Sequence, residues 1–128
     1  MKLLLDTCTF LWVALGDRAL SRPAREAFAD PANQIYLSPI SSWEIALKYA
    51  LGKLSLPTPP KVFVPDWRAR HQIEILPLEE PAALAIAQLP ELHRDPFDRM
   101  LICQAIMGGL TLVTPDRLIT QYAVPTLW

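Results

Sequence analysis

The sequence predicts an α/β fold of three layers, in which a small, mainly parallel sheet carries helices on both faces. Short apolar runs of strand length alternate with longer segments of helical character along the whole chain, an order typical of parallel sheets. The 128 residues are 52% hydrophobic and 20% charged, a composition that favours a packed globular core. Because no internal repeat or linker is visible, we expect one domain spanning residues 1–128.

Two strands and three helices are predicted in the first part of the chain. Ser21 is a good helix cap and Pro23 suits a first helical turn, while Gly52 is typical of a residue that follows a helix. The predicted elements are a strand at 2–5, a helix ending near Gly16, a helix at 21–30, a strand at 34–37 and a helix at 38–51.

Prolines dominate the middle of the chain, and the pattern becomes regular again after them. Residues 54–65 contain four prolines and predict a loop or broken segment, with a helix around Trp67 at about 62–72. The elements predicted after that are a strand at 73–76, a helix at 79–89, an apolar helix at 96–107, a strand at 110–114, a short helix at 115–122 and an edge strand at 124–127.

Composition narrows the functional classes. The net charge of −1 does not indicate a strongly basic nucleic-acid binder, so any such function must depend on local charge. Cys8 and Cys103 lack metal-ligand spacing and are expected to be reduced core thiols. Asp6 interrupts the early apolar run and no stretch is long enough to cross a bilayer, so we expect a soluble, cytoplasmic protein without a membrane partner.

Four acidic residues are the candidate functional group. Asp6 directly follows the first strand, and Asp116 follows the strand at 110–114. Asp98 lies in the first turn of the helix that enters that strand, and Glu44 lies inside the helix after the second strand. Because ligand sites of parallel sheets form at the carboxyl ends of the strands, these acids are expected to meet at one sheet edge.

Three of these acids also have ordinary structural explanations. Asp6 and Asp116 can each cap the helix that follows, and Asp98 is favoured near the positive end of its helix. Taken singly, each is as well explained by a local role as by a functional one.

Glu44 is harder to explain locally. Ser41 with Glu44 matches a capping box, but Ser38-Pro39 is the better helix start and places Glu44 beyond the first turn. A carboxylate among apolar neighbours needs a partner. Lys48, four residues later, can supply one, so an ion pair remains the structural alternative to a functional role.

Clustered carboxylates favour a metal-dependent reaction. Their charges repel and raise one another's pKa, and a divalent cation relieves this repulsion. Oxygen ligands without paired His or Cys favour Mg²⁺ or Mn²⁺ over zinc. Such a site suits phosphodiester hydrolysis by an activated water, which needs no side-chain nucleophile. The chain contains no nucleophile elbow, Walker loop or dinucleotide-binding glycine motif.

Four segments resemble the acidic motifs of PIN domains, in the order and spacing of VapC-like toxins of bacterial toxin–antitoxin pairs. The segments are LLLDT at 3–7, SSWEIALK at 41–48, HRDPFDRMLICQA at 93–105 and LVTPD at 112–116. The HRDPFDR block is characteristic of one subgroup. The resemblance implies a parallel sheet flanked by helices, magnesium-dependent RNA cleavage, dimerisation and inhibition by a cognate antitoxin.

Carried over residue by residue, the resemblance assigns metal ligation to Asp6, Glu44, Asp98 and Asp116. Thr7 and Thr114 match the polar neighbours that support these acids. Asp98 is the better match to the family's third acid, because it begins the D-x-x-L-I pattern that enters the apolar helix.

Three further residues of the HRDPFDR block have open roles. Asp95 is either an additional ligand or only a helix cap. His93 is expected at the rim with a hydrogen-bonding role, the alternative being orientation of RNA or proton transfer. Arg99 is expected either to contact substrate phosphate or to pair with an acid of the cluster.

The expected function is therefore a magnesium-dependent endoribonuclease, a toxin that forms a homodimer and binds RNA and an antitoxin protein. Two alternatives remain open. One is a catalytically silent PIN fold that only binds RNA or protein. The other is a different magnesium-dependent phosphohydrolase, although a dehalogenase-like phosphatase would have an acid where Cys8 stands.

Overall fold

The computed structural model describes residues 1–128 as five strands and seven helices. The strands are β1 (Lys2–Leu5), β2 (Gln34–Leu37), β3 (Glu74–Ile75), β4 (Thr111–Val113) and β5 (Thr126–Leu127). The helices are α1 (Thr7–Leu15), α2 (Arg22–Ala29), α3 (Pro39–Ala50), α4 (Pro60–Arg70), α5 (Glu80–Ala85), α6 (Pro96–Gly108) and α7 (Arg117–Thr120). None of these helices combines the length and the apolar character needed to cross a bilayer.

The strands form one sheet in the order β3-β2-β1-β4-β5, and every neighbouring pair is parallel. This arrangement confirms the predicted α/β class. The chain builds the sheet outward from β1 to β3, then returns to the other side of β1 to add β4 and β5. The strand order therefore reverses between β1 and β4, and open parallel sheets bind ligands at the carboxyl end of such a switch point.

Successive side chains of β1 point to opposite faces of the sheet, and helices pack on both faces to give three layers. Leu3 and Leu5 belong to one buried cluster, which includes side chains from α1, α2 and α4. Leu4 points to the opposite face, where it joins a second cluster with side chains from α6 and α7. All three leucines are fully buried, as expected of a central strand covered on both faces.

The start of α3 agrees with its prediction. The Ser38 hydroxyl accepts a hydrogen bond from the Ile40 amide and caps the helix, with Pro39 in its first turn. Glu44 is consequently beyond the first turn and caps nothing.

Two predicted boundaries differ most from the structure. The loop expected through Pro65 ends at Pro60, because the amides of Val62 and Phe63 both donate to the Pro59 carbonyl and start α4 there. A proline in the first turn costs no hydrogen bond, which is why a helix tolerates Pro60. The helix expected at 79–89 is shorter, since α5 ends at Ala85 and continues as a 3₁₀ turn at Ile86–Gln88.

Candidate metal centre

The strand ends place polar side chains at the switch point. Asp6 immediately follows β1, and Thr114 immediately follows β4, the strand paired with β1. The Thr9 hydroxyl donates to the Val113 carbonyl, a bond that fixes the start of α1 against the end of β4. This bond ties the residues after β1 to the end of β4 at the switch point, where ligands of parallel sheets usually bind.

Asp6 is a buried carboxylate, with 3% of its surface exposed. It caps α1, because its Oδ1 accepts a hydrogen bond of 2.9 Å from the Thr9 amide. Burial raises the pKa of Asp6, and hydrogen bonds from Thr114, Thr9 and Cys8 only partly offset this effect. Asp6 therefore caps its helix as expected. The cap does not remove the cost of ionising its carboxylate, because burial still raises the pKa.

Asp98 is half-buried in the first turn of α6 and is not the cap of that helix. Its side chain has one hydrogen-bonding partner, the His93 ring, with Nε2 3.4 Å from Oδ2. Burial raises the pKa of Asp98 to about 7, and the nearby charges of Asp95, Asp6, Asp116 and Glu44 contribute in that order. Asp98 therefore lies within the electric field of all the other candidate acids.

Glu44 is 5% exposed and pairs through Oε2 with Lys48, the ion pair that the sequence offered as an alternative. This pair satisfies only one of the two carboxylate oxygens, Oε2. Oε1 is buried and has no hydrogen-bonding partner. A buried carboxylate oxygen without a donor is unfavourable, so a ligand at this position would stabilise it.

Asp116 is half-buried and caps α7, with Oδ1 accepting from the Leu118 amide. Thr114 lies beside both acids, because its hydroxyl accepts from the Asp116 amide and its proximity lowers the pKa of Asp6. The supporting role expected of Thr114 stays a prediction.

The donor set fits a hard divalent cation in its chemistry. It consists of carboxylate oxygens whose charges act on one another, including one buried oxygen without a partner. However, no group of three or more His, Cys, Asp or Glu side chains converges closely enough to hold one ion. A bound cation would therefore have to draw the carboxylates together.

Other predicted supporting residues have structural contacts. The Thr7 hydroxyl donates to the Ser41 hydroxyl at 3.0 Å, so Thr7 ties α1 to α3 instead of touching an acid. Asp95 caps α6, since its Oδ1 accepts from the amides of Phe97 and Asp98. This geometry favours the capping role over ligation for Asp95.

One of the two roles expected of Arg99, pairing with an acid, is absent from its contacts, and the other, contact with substrate phosphate, stays a prediction. Its guanidinium donates to the carbonyls of Leu89, Pro90 and His93 and to the Tyr122 hydroxyl, and it pairs with no acid. Arg99 therefore holds the segment before α6. Carbonyls in an irregular segment carry no sequence signal, so this role was not predictable.

His93 has the expected hydrogen-bonding role, but it is not at the rim, because 7% of its side chain is exposed. Its ring lies between Tyr122 and Asp98. Sequence reasoning missed Tyr122, and it also missed Cys8, whose thiol lies 3.3 Å from Asp6 Oδ1. No motif marks either residue.

The PIN domain family model matches residues 3–125. The chain belongs to the PIN domain family. A segment of 42 residues is 50% identical to Ribonuclease VapC16 of Mycobacterium tuberculosis, covering 33% of this chain and 30% of that protein. The matched part is thus less than a third of that relative's length.

Solved structures resemble this PIN domain over nearly the whole chain. VapBC2 from Rickettsia felis, bound to a DNA fragment from the promoter of its genes, has a TM-score of 0.74 at 19% identity, covering 98% of this chain and 97% of that chain. DNA-bound VapBC from Salmonella typhimurium has a TM-score of 0.69 at 22% identity, covering 98% and 96%. At these identities the likeness establishes the PIN fold.

Proposed function

We propose that this PIN domain is a divalent-cation-dependent endoribonuclease and the toxin of a toxin–antitoxin pair, of the HRDPFDR subgroup. The observation that carries the proposal is the group of acids at the β1–β4 switch point, where burial first, and then the charges of the neighbouring carboxylates, raise the pKa of Asp98. Asp6, Asp98, Asp116 and Glu44 are the proposed ligands, and Mg²⁺ or Mn²⁺ is the proposed cation. Such a site suits hydrolysis of a phosphodiester.

The chain's own residues would prepare this site in distinct ways. When bound, the cation supplies activation of a water and neutralises charge on the leaving oxygen. Asp6 is held by the cap of α1, and Glu44 presents its unpartnered Oε1. Lys48 pairs with the other oxygen of Glu44, Oε2. Its positive charge lowers the repulsion among the carboxylates before the cation binds.

An aromatic pair beside the acids supports a single-stranded RNA substrate. Trp43 precedes Glu44 and is 57% exposed, and its ring packs edge-on against Phe97, which precedes Asp98, at 4.9 Å. An exposed indole next to a phosphodiester site can stack an unpaired base. Recognition would then favour RNA loops, whose bases are free to stack.

The proposed partners are an antitoxin protein and a second copy of the chain. VapBC complexes share the fold of this chain, which supports an antitoxin partner. Exposed Leu47 on α3 and Leu51 just after the helix extend the apolar surface beyond Trp43, and exposed apolar surface is typical of interaction sites. We place the protein in the cytoplasm, where such a toxin meets RNA.

One observation favours a catalytically silent module as the second candidate. The carboxylates do not converge on one point, so the fold can persist without a cation. The two candidates differ in one result: only the nuclease would cleave RNA when Mg²⁺ is present.

The proposed function is tested by incubating antitoxin-free protein with a structured RNA that has single-stranded loops. We expect cleavage with Mg²⁺, none with EDTA, and recovery when Mg²⁺ is added in excess over EDTA, because the acids cannot act without a cation. Product lengths on a denaturing gel are the measurement. Cleavage that persists in EDTA would contradict the metal mechanism, and RNA binding without cleavage in any condition would favour the silent module.

A further inference from the structure

A buried polar chain leads from Arg99 through Tyr122 and His93 to Asp98. The Arg99 Nη1 lies 3.0 Å from the Tyr122 hydroxyl oxygen, and that oxygen lies 2.9 Å from His93 Nδ1. His93 Nε2 then faces Asp98 Oδ2. Tyr122 and the His93 side chain are both buried, so water does not compete strongly for these bonds.

Counting donors fixes the proton on the His93 ring. The Tyr122 oxygen already accepts from the backbone amides of Leu92 and His93, at 3.2 and 3.1 Å, and from Arg99. These three donors leave the Tyr122 oxygen no free lone pair for an Nδ1–H, so the contact with His93 is best made by the Tyr122 O–H donating to Nδ1, the acceptor among its contacts. An Nδ1 that accepts carries no proton, so the neutral ring carries its hydrogen on Nε2, directed at Asp98.

The charge of this donor matters for the site. Asp98 has no Arg or Lys as its partner, because Arg99 is engaged by backbone carbonyls and Lys48 by Glu44. A neutral N–H orients the carboxylate and leaves its negative charge for a cation. An ion pair would orient it equally well but would neutralise that charge.

We infer that Tyr122 and His93 are positioning residues, which hold Asp98 in a ligating orientation through a neutral Nε2–H donor and thereby set the affinity for the divalent cation. This inference deepens the proposed function and rests on it. Arg99 and the two amides anchor the hydroxyl of Tyr122, so the orientation of Asp98 depends on how the segment before α6 is folded.

The tautomer can be measured without any cation or RNA. The chain has only two histidines, so His71→Gln leaves the His93 ring as the single imidazole in a ¹H–¹⁵N spectrum. His71 stacks on Trp67 in α4 and lacks contacts with the acids, which makes this variant suitable for assignment. We expect a protonated Nε2 and an unprotonated Nδ1 at mildly alkaline pH. The Nδ1–H tautomer would overturn the inference even if the protein cleaves RNA.

The effect on the cation is measured by Mn²⁺ titration, by calorimetry, of the wild type and two variants. His93→Leu removes the donor and should weaken Mn²⁺ binding about 10- to 100-fold, the usual cost of losing such an outer partner. His93→Gln keeps an N–H at the Nε2 position and should recover most of that loss. Equal weakening in both variants, with melting temperatures like the wild type, would overturn the inference. Absence of Mn²⁺ binding to the wild type would instead contradict the proposed function.

Discussion

Replacing Asp6 by Asn should lower the rate of magnesium-dependent RNA cleavage by at least about a hundredfold, because the site loses a ligand charge worth several kcal/mol in the transition state. The fold should survive, since the amide oxygen of Asn can still accept from the Thr9 amide and cap α1. The metal-free variant should also be no less stable than the wild type, because burial raises the pKa of Asp6 and makes its charge unfavourable.

The measurements are initial cleavage rates, melting temperatures and growth of cells that express each variant. Asp17→Asn is the matched control, because Asp17 is exposed and its carboxylate also accepts from a backbone amide, that of Ala19. Wild type and Asp17→Asn should cleave RNA and arrest growth, whereas Asp6→Asn should do neither. A folded Asp6→Asn protein that cleaves RNA as fast as the wild type would contradict the proposed role of this acid.

The metal-free protein should lose several degrees of melting temperature as the pH rises through the weakly acidic range to about 7. Burial, reinforced by the nearby acids, raises the pKa of Asp98 from 3.8 to about 7. Between these values the folded protein keeps a proton that the unfolded chain releases, so the free energy of unfolding falls as the pH rises. Above about 7 both states are ionised, and this contribution becomes constant.

Magnesium should reverse this loss, and more strongly at alkaline pH, because the cation binds the ionised carboxylates. Asp98→Asn removes one titrating group and should reduce the pH dependence measured in EDTA, with the raised pKa of Asp6 contributing to what remains. Melting curves across the pH range, with Mg²⁺ and with EDTA, are the measurement. The account would be contradicted by a melting temperature that rises over this interval in EDTA. It would also be contradicted if Mg²⁺ did not change the melting temperature at alkaline pH.

Most strand positions and several helix starts, although not that of α4, were predictable because they depend on local chemistry. The Leu3–Leu5 run had to be a buried strand, and an acid directly after it had to lie at the sheet edge. Ser38-Pro39 marked the start of α3 and so indicated that Glu44 was not a cap. The Glu44–Lys48 pair was foreseen as an alternative because residues four apart on a helix are neighbours.

Contacts across the fold were not predictable in the same way. Tyr122 lies 29 residues beyond His93 and 23 beyond Arg99, and only the packing of α6 and α7 on one sheet face brings the three together. The Cys8 thiol contacts Asp6 because of the geometry of the α1 cap, whereas its sequence neighbours suggested a core thiol.

The central claim is that one divalent cation gathers acids from distant parts of the chain. Anomalous diffraction from crystals soaked in Mn²⁺ tests it most directly. The account predicts a difference peak at the β1–β4 switch point, coordinated by carboxylates of Asp6, Asp98 and Asp116 with Glu44 contributing Oε1. Crystals that contain no peak there, with these carboxylates still apart, would contradict it.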